Sequence, residues 1–264
     1  MRVAVLFDGA GLARLGLERA GLICTGIELN PIAHYLSQFV GSGNSILCDA
    51  TSFDLNGFDA VWASPPCQLR SKARTSGEPT SAFAQNDLTQ WSMRLINKFD
   101  TLWVENVTSD RFSDAWGILW NAAQFTHTPI QNRNRLIGGK YALPFIYRTY
   151  KRAFKGVPPC VTATEYKGCA TDSRRCSRFF GRKLTLSEVA YLQGFSVPAQ
   201  WLEVPIGFTR AEWSVELYRA VGNGVPVYMA EAFGKASLYN KGRIRTLWST
   251  LYSIPLQIAV TATV

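Results

Sequence analysis

The chain has 264 residues, 47% apolar and 18% charged, with 28 Lys and Arg against 19 Asp and Glu for a net charge of +9. That size and balance fit one large α/β domain, alone or with a small insert, and the positive excess favours a polyanionic partner. No apolar run is long enough to span a bilayer, and residues 1–7 lead straight into Gly9 and Gly11 rather than a small-residue cleavage site, so neither a membrane partner nor a signal peptide is expected.

Residues 2–7 read as a buried strand, followed by a Gly9-Ala10-Gly11 turn. Leu12 to Ala20 has helical spacing, and Gly21 ends that helix. Leu22 to Leu29 is a second strand carrying Glu28 near its end, and Asn30-Pro31 opens the next helix. Ile46 to Asp49 is a short third strand, Ala60 to Ala63 a fourth, and Thr101 to Val104 a fifth that leads into Glu105-Asn106. Strands alternating with helical segments predict a doubly wound, mostly parallel sheet. Asp8, Glu28, Asp49, Cys67 and Glu105 then all fall at its carboxyl edge, where open α/β sheets bind ligands. Residues 136–160 mix aromatics, prolines and cations with weak periodicity and read as a small irregular insert. Thr185 with Glu188 forms a capping-box pattern for a helix stopped by Gly194. Another helix is expected near Ala211 to Ala220, and Gly222 to Pro226 forms a turn before a last helix around Val227 to Ser237. The tail beyond Lys241 ends in an apolar stretch, with no function assigned to it.

Ser64-Pro65-Pro66-Cys67-Gln68 follows the fourth strand. Two prolines fix two φ angles and remove two backbone donors, so the chain must leave the sheet there. A cysteine on such a loop becomes a strong nucleophile once it is a thiolate. The polar segment 68–78, with Arg70, Lys72 and Arg74, reads as a mobile lid or as an ordinary connection. Cations gather in residues 131–155, interleaved with Tyr141, Phe145, Tyr147, Tyr150 and Phe154, and again in residues 167–183. A phosphate-tracking surface is the reading this favours. The six cysteines (Cys24, Cys48, Cys67, Cys160, Cys169 and Cys176) are scattered, and His34 and His127 lie far from them. We read the thiols as reduced, in an intracellular protein, and expect no metal.

Taken in order, these segments resemble the DNA cytosine-5 methyltransferases that use S-adenosylmethionine. Phe7-Asp8-Gly9-Ala10-Gly11 resembles the first cofactor loop, and Glu28 and Asp49 resemble the ribose and adenine contacts. Ser64-Pro65-Pro66-Cys67-Gln68 resembles the nucleophile loop and Glu105-Asn106-Val107 the base-binding acid. Gln131-Asn132-Arg133-Asn134-Arg135 resembles the Gln-x-Arg-x-Arg motif, Leu184 to Phe195 the helix after the recognition region, and Gly222 to Pro226 the last motif. A lone Gly-x-Gly is a weak signal, whereas several motifs in order are a strong one. The chain departs from the pattern at Leu12, where the family usually has a glycine. The stretch from Val107 to Gln131 is also short, so one strand or helix is expected to be trimmed, and the recognition region after Arg135 is small.

The resemblance implies a Rossmann-like catalytic domain over residues 1–135, a target-recognition region over 136–181, a return to the catalytic domain over 182–240, and a tail over 241–264. It implies Cys67, Glu105, Arg133 and Arg135 as catalytic. Phe7, Asp8, Gly9, Gly11, Glu28, Asp49, Pro65, Asn223 and Val225 would contact S-adenosylmethionine, with S-adenosylhomocysteine as product. Gln68, Asn106, Gln131, Arg70, Lys72 and Arg74 would contact the substrate. A monomer acting on double-stranded DNA in a bacterial or phage-type cytoplasm is expected, in a restriction–modification setting. An RNA cytosine methyltransferase of the transfer-RNA type, or an inactive nucleic-acid-binding relative, are the competing readings.

Overall fold

The computed structural model describes residues 1–66, 88–107, 117–128, 130–168 and 176–239. Cys67, Gln68, Arg70, Lys72, Arg74, Cys169 and the tail lie outside the described residues.

Seven strands form one sheet: β1 (Arg2–Leu6), β2 (Ile23–Glu28), β3 (Ser45–Leu47), β4 (Ala60–Ala63), β5 (Thr101–Asn106), β6 (Gly117–Asn121) and β7 (Asn134–Lys140). Their order is β3-β2-β1-β4-β5-β7-β6, and only β7 runs antiparallel to its neighbours. The central strands are buried on both faces, which is why they read as continuous apolar runs rather than alternating ones. Val3 and Val5 join Trp62, Trp103 and Phe233 on one face, while Ala4 and Leu6 join Val61, Leu102 and Phe99 on the other.

The helices are α1 (Leu12–Arg19), α2 (Pro31–Ser37), α3 (Leu88–Arg94), α4 (Cys176–Phe179), α5 (Leu186–Gln193), α6 (Arg210–Asn223) and α7 (Val227–Tyr239). Their ends follow local chemistry. Asn30 accepts from the amides of Ile32 and Ala33 at the start of α2. Thr185 and Glu188 exchange both capping-box bonds at α5, and Gly194 closes that helix at φ 88°. A second box, Thr209 with Glu212, opens α6, which runs on through Asn223. Helices α5 and α6 build a separate apolar cluster around Trp201 and Trp213 that packs on Leu36 of α2.

The segment between Val107 and Gln131 carries one strand, β6, with residues 108–116 outside the described ones. One expectation is corrected here: residues 136–140 are not irregular, because the sheet continues through Lys140 as the end of β7. Gly138 and Gly139 obscured that strand in the sequence. Glycine is weak in strands and often marks a close backbone approach. A side-chain carbon at Gly139 would sit 2.2 Å from the Leu102 carbonyl oxygen.

Helix α1 packs on α7 through Gly16, where an added Cβ would lie 2.3 Å from the Val227 carbonyl oxygen and 2.8 Å from the Ala230 Cβ. Helix propensity alone favours Gly16→Ala by about 1 kcal/mol. The collision is with backbone and cannot be relieved by a rotamer, so overpacking wins. We expect Gly16→Ala to destabilise the chain by about 1–3 kcal/mol in urea unfolding; a stabilised variant would contradict this packing.

Candidate active site at the carboxyl edge of the sheet

The strand order reverses between β1 and β4, and in such sheets the crevice at the reversal is where ligands bind. The segments entering it are the Phe7–Gly11 turn after β1, Glu28 at the end of β2, Ser64-Pro65-Pro66 after β4 and Glu105-Asn106 at the end of β5.

The first turn is held in an unusual backbone shape. Phe7 has φ 58°, Gly9 φ 57° and Gly11 φ 84°. A non-glycine residue at positive φ costs on the order of 1–3 kcal/mol and persists only where its surroundings fix it. Those surroundings are visible below the turn. Asp8 is buried and pairs with the Nε of fully buried Arg14 at 2.9 Å. The Arg14 Nη atoms reach the carbonyls of Ser37 at 2.6 Å and Val40 at 3.0 Å. Gly26 leaves room for the pair, since a Cβ there would fall 2.1 Å from Asp8 Oδ2. Above the turn lies open space, with nothing within 4 Å of a Cβ built on Gly9. Asp8 therefore points into the protein and anchors the turn rather than facing the crevice. Its Oδ1 has no hydrogen-bond partner among the described residues.

Glu28 is half-buried, and one carboxylate oxygen accepts from the Gly9 amide at 2.7 Å while the other accepts from Asn30. This ties the ends of β1 and β2 together and sets a carboxylate beside the open turn. Asp49 is exposed, and its Oδ1 accepts from the amide and hydroxyl of Thr51.

Glu105 is buried at 6% exposure and pairs with the Nε of Arg135 at 2.8 Å. The pairing follows from register. Glu105 faces Ile137 across the β5–β7 ladder, and Arg135 stands two residues along on the same face. Next to it, Asn106 donates to the Pro65 carbonyl at 3.3 Å and to the Thr89 hydroxyl at 3.0 Å. At 2% exposure, Asn106 is a tether between β5 and the start of the Pro-Pro-Cys loop.

Four further expected site residues are held as follows. Gln131 is fully buried, donates to the Leu192 carbonyl and Gln193, and accepts from the Val161 amide. Arg133 is fully buried, and its Nη atoms bond to Cys160 Sγ and the carbonyls of Val161, Gly222 and Gly224. Burial, and then the charge of Arg135, lower its proton affinity. Val225 is packed in the core, and Asn223 is exposed as the last residue of α6. Gln131 and Arg133 thus lock the segment at 160–161 and the 222–224 turn to the sheet. Beside that turn, Leu12 is 1% exposed and packs on Gly224, where a Cβ would come within 2.6 Å of it. Sequence reasoning missed Arg14. The signal for it was an arginine three residues before Leu17 on the buried face of α1.

The model for C-5 cytosine-specific DNA methylases matches residues 84–238, more than half of the chain. The chain belongs to this family. The match begins after the Pro-Pro-Cys loop and includes Glu105 and Arg135. Solved structures of similar fold include the Entamoeba histolytica methyltransferase EhMeth, at TM-score 0.61 and 13% identity over 91% of this chain and 98% of that one. A putative DNA modification methyltransferase encoded within an E. coli prophage gives 0.55 and 17% over 91% and 99%. The S. pombe Dnmt2 methyltransferase gives 0.57 and 16% over 91% and 99%. No curated protein matches the sequence. Among the described residues of this family member, no helix is long and apolar enough to cross a membrane.

The buried Asp8 gives the first loop a pH signature. Burial raises its pKa from the ordinary 3.8 to about 6, outweighing the opposing pull of Arg14, and Glu28 and Glu18 add to the rise. The folded state holds this proton more tightly than the unfolded chain. Its contribution to stability is therefore complete below about pH 4 and is lost as the pH rises through about 6. The stability advantage of wild type over Asp8→Asn should thus shrink by up to roughly 3 kcal/mol between about pH 4 and pH 7. Urea unfolding at both pH values measures it, and a difference that does not change with pH would refute the assignment.

Proposed function

We propose that this family member methylates carbon 5 of cytosine in double-stranded DNA, with S-adenosylmethionine as the methyl donor and S-adenosylhomocysteine as product. The observation carrying this reading is the Glu105–Arg135 pair beside the Asn106 tether to Pro65, at the crevice where the strand order reverses. The residues around the first turn suit the donor: open space over Gly9 admits close backbone approach, and the Glu28 carboxylate is disposed to accept from ribose hydroxyls. When bound there, the donor supplies an electrophilic methyl group.

Carbon 5 of cytosine is a poor nucleophile. Cys67 as thiolate adds to carbon 6, and the ring electrons displaced toward carbon 5 make that carbon nucleophilic enough to take a methyl group, whose bond to the donor's sulfonium sulfur would break with the electron pair left on S-adenosylhomocysteine. Glu105, oriented by Arg135, shares a proton with ring nitrogen 3 and relieves the charge of the addition. A base then takes the carbon 5 proton, and the electrons left behind expel Cys67 and restore the ring. Arg133 serves as a positioning residue through the carbonyls it holds. The target atom lies within a base stack, so the cytosine must leave the duplex to reach the crevice. A monomeric cytoplasmic enzyme of a bacterial or phage-type cell fits this chemistry.

Cys67→Ala should lower methylation at least about a thousandfold and leave S-adenosylmethionine binding nearly intact. Wild type should form a covalent adduct on duplex DNA containing 5-fluorocytosine, and Cys67→Ala should not. Label transfer assays on duplex DNA and on transfer RNA decide the substrate: transfer confined to RNA ends the DNA reading. Carbon 5 methylation by Cys67→Ala ends the mechanism.

A further inference from the structure

We propose that the apolar groove beside α7 holds the chain's own C-terminal segment, with Ile244, Leu247, Trp248 and Leu251 seated between α7 and residues 143–147.

The groove has a volume of about 540 Å³. It runs along α7 from Tyr228 to Tyr239, with Leu143, Phe145 and Tyr147 as its other wall and buried Phe125 at its base. Leu143, Phe145, Tyr147 and Tyr239 all stand exposed around it, Phe145 at 74% and Tyr239 at 86%. Large apolar side chains scattered singly on a surface are ordinary, but gathered about one groove they mark an interaction site. The wall is already in place. The Tyr147 amide donates to the Gln124 carbonyl at 2.9 Å, and the Arg148 guanidinium donates to the carbonyls of Ala123 and His127. The Phe145 and Tyr147 rings meet edge to face at 5.2 Å. The charged residues among the described lining are Glu231 and Lys235, which pair with each other. The groove therefore offers apolar surface and no net charge, which suits an apolar occupant rather than a polyanion.

The sequence supplies that occupant. Helix α7 ends at Tyr239, itself part of the groove, and residues 240–264 lie outside the described ones. Asn240 and Gly242 are residue types that stop a helix and turn the chain back. From Ile244 the apolar residues fall at helical spacing: Ile244, Leu247, Trp248, Leu251 and Tyr252. Arg243, Arg245, Thr246, Ser249, Thr250 and Ser253 fill the opposite face, and Pro255 closes the pattern. This spacing predicts an amphipathic helix whose four leading apolar residues are the anchors of a helix laid in a groove. The lengths agree, because the same number of residues separates Tyr228 from Tyr239 and Ile244 from Pro255, about 16 Å of helix in each case. Two antiparallel helices need only a short connection. A segment tethered at the groove's end also has an effective concentration in the millimolar range, which favours it over a second copy of the chain.

The test is hydrogen exchange on the full chain, read by mass spectrometry on fragments covering residues 244–254. A free segment of this length is a marginal helix in water, so protection of these amides reports docking. Leu143→Ser with Phe145→Ser replaces exposed side chains and should keep wild-type circular dichroism. Exchange over 244–254 should be about tenfold or more faster in that variant than in wild type. A labelled peptide of residues 240–255 should bind the chain carrying Leu247→Ser, Trp248→Ser and Leu251→Ser about tenfold or more tightly than wild type, whose groove is already filled. Equal exchange in wild type and the groove variant, or equal peptide binding by wild type and the tail variant, overturns the proposal. A wild-type dimer that Leu143→Ser with Phe145→Ser dissociates assigns the groove to a second copy and overturns it too. None of these outcomes bears on the methyl-transfer reading.

Discussion

The fold around the crevice depends on burying one ion pair completely. Asp8 and Arg14 are both shielded from water, and such a pair repays its desolvation only if the rest of each group is satisfied. Arg14 meets its side of that demand by bonding the carbonyls of Ser37 and Val40 as well as Asp8, whereas Asp8 Oδ1 has no partner among the described residues, in keeping with its raised proton affinity. The ends of β1, α1 and α2 are thereby fixed to one guanidinium. The glycines nearby answer the same demand. Gly26 clears space for the carboxylate and Gly11 for the guanidinium, where a Cβ would fall 2.6 Å from Nη2. The strained turn at Phe7 and Gly9 is the outcome, and it is this turn that faces open space.

A second buried guanidinium does comparable work on the other side. Arg133 spends its Nη atoms on backbone carbonyls of two distant segments and on Cys160. Gln131 adds bonds to the end of α5 and to the Val161 amide. The segment at 160–161 is therefore tied to the same two side chains as the 222–224 turn and the end of α5. Of the two arginines in the Gln-x-Arg-x-Arg segment, only Arg135 pairs with the acid at the sheet edge. The start of β7 explains the division, since alternation alone would put residues two apart on one face. Arg133 immediately precedes the strand, and Arg135 stands within it beside β5.

What the sequence made legible was whatever a local signal controls. The apolar runs at β1, β2, β4 and β5, the Asn30 and Thr185 caps and the stop at Gly194 all stand as read. So does the gathering of Asp8, Glu28 and Glu105 at one edge, because strand direction alone decides it. The strand β7 was hidden because two glycines and a cation mask its period, and only pairing with β5 and β6 makes it a strand. Side-chain direction was the other illegible quantity. Asp8, Asn106, Gln131 and Arg133 sit where polar residues at an edge would contact ligands. Their partners, however, are residues up to 97 positions away, and no local pattern reports them.

The hydrogen bond from Asn106 to the Pro65 carbonyl carries a mechanical consequence. It fastens the root of the Pro-Pro-Cys segment to the residue immediately following the acid. A displacement of either root therefore pulls on the other. The acid's own partner stands on the opposite side, on β7, and reaches Glu105 through a long side chain that can shift without disturbing the backbone beneath it.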